Sequence, residues 1–203
     1  MIKSSYLPSY LPSYLTGQLL LAMPGMTDPR FDRSVIYICR HSEEGAMGLV
    51  INSAATGIDF PNLLDQLDVK YDPKKMAEKK ALGDEINLYA GGPVEPGRGF
   101  ILHSVDFKQA STLVISETVA LTARVDILAA ISAGKGPKNF IVALGYTGWG
   151  NGQLEQEIKR NSWLNVDADD ALLFCPDLDL KWPRAMAKLG IDIAMLSKFS
   201  GNA

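Results

Sequence analysis

"SVIYICRHSEEGAMGLVIN", residues 34–52, decides how this chain is read. Residues 35–39 are apolar or aromatic on both alternating faces, the pattern of a strand buried on both sides. The polar run 41–45 then supplies a turn, and "AMGLVIN" resumes the apolar pattern, so the stretch predicts a β-hairpin. Upstream, "QLLLAM" reads as a further strand ending at Pro24-Gly25. Downstream, "FPNLLDQL" predicts a short helix. Residues 68–85, rich in Lys, Asp and Glu and interrupted by Pro73 and Gly83, predict a long solvated excursion with one or two helical turns.

Beyond it, "INLYAGG" and "GFILHS" flank "PVEPGR" as a second hairpin-like unit. "STLVIS" reads as a strand. "TARVDILAAISAGKGP" reads as a helix, with Thr122 as its cap, Leu121, Val125 and Leu128 on one face, and Gly134 past its end. "NFIVALGY" is a strongly apolar strand, followed by a helix from about Gly152, a strand at "ALLFC", and a short helix near "PRAMAKL" stopped by Gly190. Hairpins mixed with helices, rather than regular βαβ units, indicate an α+β or mixed α/β fold.

Composition bounds the function classes. A chain of 203 residues without a charged or Pro/Gly/Ser-rich linker reads as one domain. A net charge of -3 and a pI near 5.4 disfavour a broad phosphate-neutralising face, and with it direct nucleic-acid binding. Cys39 and Cys175 sit in apolar segments, as reduced buried thiols do. No apolar run approaches the roughly 18 residues of a membrane span, and "MIKSSYLPSYLPSYL" lacks a signal-peptide core. A cytoplasmic location is the expectation. Ser-Tyr-Leu-Pro recurs at residues 5–8 and 9–12, and the prolines favour an extended arm over residues 1–14 rather than a helix. Such an arm either frays or docks Tyr6, Tyr10 and Tyr14 on a partner or on the protein's own surface.

Four stretches invite a chemical reading. "GYTGWGNGQLEQEI", residues 145–158, clusters Gly148, Gly150 and Gly152 before a helix, yet matches neither phosphate-loop spacing. Glu155 and Glu157 in the first helical turn would meet an incoming phosphate, so the loop is expected to be a corner. Asn151 could cap the helix, Glu155 could pair with Lys159, and Trp149 is expected to lid the core or a groove. "SAGKGPK" places its lysines at a helix C-terminus and offers no anion site.

Cys39 and His41, two apart on a strand, would share a face; with His103 they could form a zinc site or a Cys-His pair, although no zinc motif accompanies them. His103 and Ser104, being adjacent, do not form a dyad. Asp167, Asp169 and Asp170 begin like a calcium loop, which fails at Leu172 and Leu178. Asp28, Arg30, Asp32 and Arg33 are expected to pair at the surface, with a ligand role for Arg30 as the alternative. No catalytic residue, metal ligand or cofactor is assigned.

Three segments in register, "LTGQLLLAMPGMTDPRFDRSVIYICRHSEEGAMGLVIN" (15–52), "YAGGPVEPGRGFILHS" (89–104) and "LGYTGWGNGQLEQEIKRNSWL" (144–164), resemble the signatures of the bacterial YqgE/AlgH family. The resemblance covers nearly all of the chain from Leu15 onward. It implies a single α+β domain over 15–203, a mixed sheet curled into a small barrel-like core with helices around it. The family's name as a transcriptional regulator comes from a genetic association, and the family has no agreed site residues to carry over. The resulting expectation is a cytoplasmic protein acting through binding, with a regulatory role, whose protein or small-molecule partner meets the turn-rich segments 24–32 and 91–98. The competing class is a small enzyme using His41, His103, Glu95 or Arg98 at the mouth of the barrel. DNA-binding regulation ranks third, and the oligomeric state stays open.

Overall fold

The computed structural model describes residues 14–82 and 86–191, apart from the side chains of residues 79 and 80. The expected arm lies outside these residues except for Tyr14. In chain order the strands are β1 (Gln18–Ala22), β2 (Val35–Ser42), β3 (Gly45–Val50), β4 (Leu88–Ala90), β5 (Val94–Ser104), β6 (Leu113–Val114), β7 (Val119–Thr122), β8 (Phe140–Trp149) and β9 (Trp163–Asp167). The helices are α1 (Phe60–Gln66), α2 (Pro73–Ala81), α3 (Asp126–Ser132), α4 (Gln153–Lys159), α5 (Asp170–Leu173) and α6 (Leu178–Lys188). Together they make a single α+β domain, a sheet curled into a half-barrel with helices around it. The strand order is β6-β7-β5-β8-β3-β2-β1-β9, with β4 also against β8, the one parallel pairing among the described residues.

Alternating side chains explain why the strands are apolar throughout. Leu19, Leu21, Val35, Tyr37 and Cys39 join one cluster that runs across the sheet beneath α5 and α6. Leu20, Ala22, Ile36 and Ile38 point the other way, into a second cluster with Leu154 of α4 and Trp163. A third packs α1 and α3 onto Ile101 and Val142. Each fully buried Leu or Ile contributes about 1.5–3 kcal/mol relative to an exposed one, so layers on both faces hold the sheet.

The second expected hairpin does not form. β4 runs parallel to β8 from Leu88↔Val142 to Ala90↔Leu144, while β5 runs antiparallel along the same stretch, with Ile101↔Val142 and Gly99↔Leu144. A strand has two edges, so β4 and β5 take one each and residues 91–93 must cross β8. Glycine makes the crossing possible. A Cβ on Gly92 (φ +153°) would stand 2.2 Å from the carbonyl of Tyr146, and one on Gly145 (φ +71°) would stand 2.4 Å from the Gly92 oxygen.

Other expectations shift for local reasons. Leu121 and Thr122, expected on the apolar face and at the cap of a helix, belong to β7, and α3 starts only at Asp126 without a side-chain cap. "ALLFC" is not a strand: Asp169 accepts the Leu172 N–H at 2.8 Å and nucleates α5. Pro73 opens α2 instead of breaking it. α6 is longer than expected and runs through Pro183, and β9, which was not foreseen, pairs along the whole of β1. Among the described residues no helix is long and apolar enough to cross a membrane.

Candidate functional site

The segment between β1 and β2 begins the site. Asp28 caps a single 3₁₀ turn at Pro29–Phe31 and accepts the Arg30 N–H at 3.0 Å. Its carboxylate also takes Arg30 Nε at 3.0 Å and Nη2 at 2.6 Å, and these hydrogen bonds hold the Asp28 carboxyl below the usual carboxylate range. The guanidinium is fixed in place while the Arg30 side chain as a whole is 64% exposed, so its remaining donors are available. The expected surface pairing and the alternative ligand role are therefore compatible at Arg30.

Behind it lies an aromatic run. Phe31 meets Trp163 edge-on with ring centroids 5.7 Å apart, and Trp163 meets Trp149 at 5.9 Å. Both indole N–H groups donate to one oxygen of Glu157, at 2.9 Å from Trp149 and 2.8 Å from Trp163, while Gln153 donates to the other oxygen at 2.9 Å. One carboxylate on α4 thus ties the end of β8 to the start of β9.

These groups wall a groove of about 730 Å³, within the range of small-molecule and peptide sites. Residues 26–28 with Arg30 and Phe31 form one wall, Pro93 and Val94 another, and Thr147 with Gly148 the end of β8. Gln153, Glu157 and Arg160 complete it. Val94 pairs with Tyr146, and beyond that point this edge of β8 has no strand partner among the described residues. Asp28, Arg30, Glu157 and Arg160 balance in charge, so the groove suits a ligand with both polar and apolar parts. Of the segments 24–32 and 91–98, residues 26–31 and 93–94 meet here.

Gly148 lies within β8 with no left-handed φ, and the expected corner falls later, at residues 150–152. Gly152 (φ +68°) is the N-cap of α4 in place of the expected Asn151, and the Gly150 N–H donates to the Gln153 side chain at 3.0 Å. Glu155 meets His41 at 2.8 Å rather than Lys159. Not every glycine here is a folding requirement: Gly97 and Gly99, on the bulge of β5, have open space where a Cβ would stand and no left-handed φ.

The histidines do not assemble. A β-bulge between Ile38 and Arg40 shifts the β2–β3 register, so Cys39 enters the cluster beneath α6 while His41, opposite Ala46, points to the other face toward Leu15 and α4. The shared face expected of Cys39 and His41 is thereby lost. His41 Nδ1 accepts the Leu15 N–H at 3.0 Å, which leaves Nε2–H to donate to Glu155. His103, wholly buried, contacts the Ser104 carbonyl through Nδ1 and the Thr122 hydroxyl through Nε2, both at 2.9 Å, and burial pushes its pKa down.

His41 stands beside Ala46, which pairs with Trp149, whereas His103 pairs with Phe140 nine residues back along β8, roughly 30 Å at a strand's rise. Glu95 and Arg98 pair with each other at 3.2 Å on the exposed bulge. Asp169 is a helix cap and pairs with Lys188, so the acidic run at 167–170 is accounted for structurally. Among the described residues no group of three or more His, Cys, Asp or Glu could hold a metal ion. Glu157, Arg160 and Trp163 are the groove residues that sequence reasoning missed. Glu157 was legible only as a first-turn acid, because its indole partners come from strands placed by the tertiary fold.

A family model described as AlgH-like matches residues 19–194. The chain is 54% identical over 188 residues to a UPF0301 protein of Rhodopseudomonas palustris, covering 92% of this chain and 86% of that one. A UPF0301 protein of Bradyrhizobium diazoefficiens is 53% identical over 190 residues, covering 92% and 87%. Among solved structures, the solution structure of the AlgH protein from Pseudomonas aeruginosa superposes with a TM-score of 0.73 at 40% identity over all of both chains. A crystal structure of a Corynebacterium diphtheriae protein shares the fold, with a TM-score of 0.64 at 21% identity over 86% of each chain. With the curled sheet, the crossing at residues 91–93 and these likenesses together, the chain belongs to the AlgH-like family.

Proposed function

We propose that the protein works by binding, in a regulatory role, and that its partner enters the groove between residues 26–31, Val94 and α4. The observation that carries this reading is the convergence of three sequence-distant segments on one cavity, with Arg30 held ready at its rim by Asp28. Rigid aromatic flooring and a fixed guanidinium are the features of binding hot spots. The partner is a polypeptide or small molecule with both polar and apolar parts, met in the cytoplasm. A net charge of -3 favours regulation through such a partner over direct DNA contact.

Capture from cell extract, comparing the wild type with Arg30→Ala, Val94→Asp and the distant Leu113→Ser, tests the reading. A partner lost with the first two and kept with the third supports it. Equal recovery by all four proteins contradicts it. The separation of His41 from His103 gives the enzyme reading no assembled site to work from.

A further inference from the structure

Hydrogen-bonding capacity in the groove is one-sided. Asp28 accepts the Arg30 N–H and Nε–H on one oxygen and Nη2–H on the other, while Glu157 accepts both indole N–H groups on one oxygen and the Gln153 amide on the other. Gln153 Oε1 in turn accepts the Gly150 N–H at 3.0 Å. The carboxylates lining the groove are therefore occupied by the protein itself, and an incoming ammonium would have to displace bonds already made. The donors are not so committed. Arg30 keeps both Nη1 hydrogens and one on Nη2, and Arg160, which ends α4, forms no ion pair among the described residues. Although the formal charges cancel, what stays open to a ligand is guanidinium, the group that grips carboxylates in bidentate fashion.

The main chain adds a second requirement. β5 pairs Val94 with Tyr146, but the residue before it, Pro93, has no N–H to extend the ladder, so on this side β8 has no strand partner at residues 147–149 among the described residues. β3 holds only the opposite edge, through Gly48↔Thr147, Met47↔Gly148 and Ala46↔Trp149. Thr147, Gly148 and Trp149 all line the groove. Gly148 has no left-handed φ, and a Cβ there would meet nothing nearer than 3.5 Å, so neither backbone conformation nor packing requires a glycine at this position. A bare main chain on an open edge is what another strand needs in order to approach closely.

We infer that the groove receives an extended acidic polypeptide segment, which adds to this edge of β8 as a further strand, lays apolar side chains against Phe31 and the two indoles, and presents carboxylates to Arg30 and Arg160. This rests on the groove being the binding site. Strand pairing puts residues i and i+2 on one face, so the partner carries acidic and apolar residues in alternation, one set toward the aromatic floor and the other toward the guanidinium groups. Main-chain bonds supply affinity, and the arginines select the partner.

Three labelled octapeptides, followed by fluorescence anisotropy on the full chain, test this: one alternating valine or phenylalanine with aspartate, its lysine counterpart, and the aspartate peptide with alternate amides N-methylated. The aspartate peptide should bind about tenfold more tightly than either of the others and should weaken as salt rises from about 50 to 300 mM. Arg30→Ala and Arg160→Ala should each weaken it about fivefold or more, whereas Arg124→Ala, which removes the same charge outside the groove, should not. Amide exchange within residues 147–149 should slow in the complex. Equal or tighter binding of the lysine peptide overturns the acidic preference, undiminished binding of the N-methylated peptide overturns strand addition, and no saturable binding of the aspartate peptide overturns both. Benzoate, a free aryl carboxylate, should compete far more weakly than the unlabelled aspartate peptide; equal competition overturns the polypeptide assignment in favour of a small anion. Capture from extract that depends on Arg30 and Val94 while the aspartate peptide fails to bind defeats the acidic strand alone. Capture that ignores Arg30 and Val94 defeats the groove reading.

Discussion

Lys181 is a charged residue with no exposed surface, a combination the sequence gives no hint of, because a lysine on an amphipathic helix ordinarily reaches water. Its Nζ donates to the Leu173 carbonyl at the end of α5, 2.8 Å away, and lies 5.3 Å from the Tyr89 ring centroid. Burial pulls its pKa from 10.5 down to about 8. A base depressed in the folded state sheds its proton before the unfolded chain does, so folding gains stability as pH rises from about 8 to 10.5. The full penalty remains below 8. In Lys181→Met that dependence disappears. The stability difference between the variant and wild type should therefore move in favour of the wild type by about 3 kcal/mol across this window, measured by urea unfolding. A difference that stays constant with pH contradicts the assignment. Glu157 makes a second residue-scale prediction. Glu157→Leu leaves two buried indole N–H groups unmet and should lose about 1–3 kcal/mol, whereas Glu157→Gln keeps one acceptor oxygen and should lose less.

At the scale of elements, the sequence was informative wherever the signal is local. Alternation in "SVIYIC" announced a strand buried on both faces, and Val35, Tyr37 and Cys39 do part from Ile36 and Ile38 into separate clusters. Alternation could not announce the bulge that turns His41 away from Cys39, since one extra residue leaves the pattern on either side intact. Nor could it show that β4 and β5 flank a third strand: two apolar runs around a turn look alike whether they pair with each other or with β8. The crossing makes its own prediction. Gly92→Ala should lower stability by more than 2 kcal/mol through main-chain overlap and a left-handed φ, while Gly97→Ala, with open space around it, should stay within about 0.5 kcal/mol. Thermal unfolding of the two variants decides it, and similar losses in both would contradict the crossing account.

For the whole molecule, fold class and family were legible because three long segments kept their order and spacing over most of the chain. The lining of the candidate groove was half legible. Turn-rich chemistry singled out 24–32 and 91–98, but their meeting with Glu157, Arg160 and the indoles depends on how the sheet curls, which no local pattern encodes. His41 and His103 attracted attention because histidine is the commonest side chain of catalysis and metal binding. Each instead satisfies hydrogen bonds within its own layer. The groove is the claim on which the account depends, and photo-cross-linking in living cells tests it most directly, with the reactive residue at Val94 and, as control, at exposed Leu113 on the distant β6. The account predicts one discrete cross-linked product from position 94, abolished by Arg30→Ala, and none from position 113. Identical products from both positions, or a product from 113 alone, would contradict it.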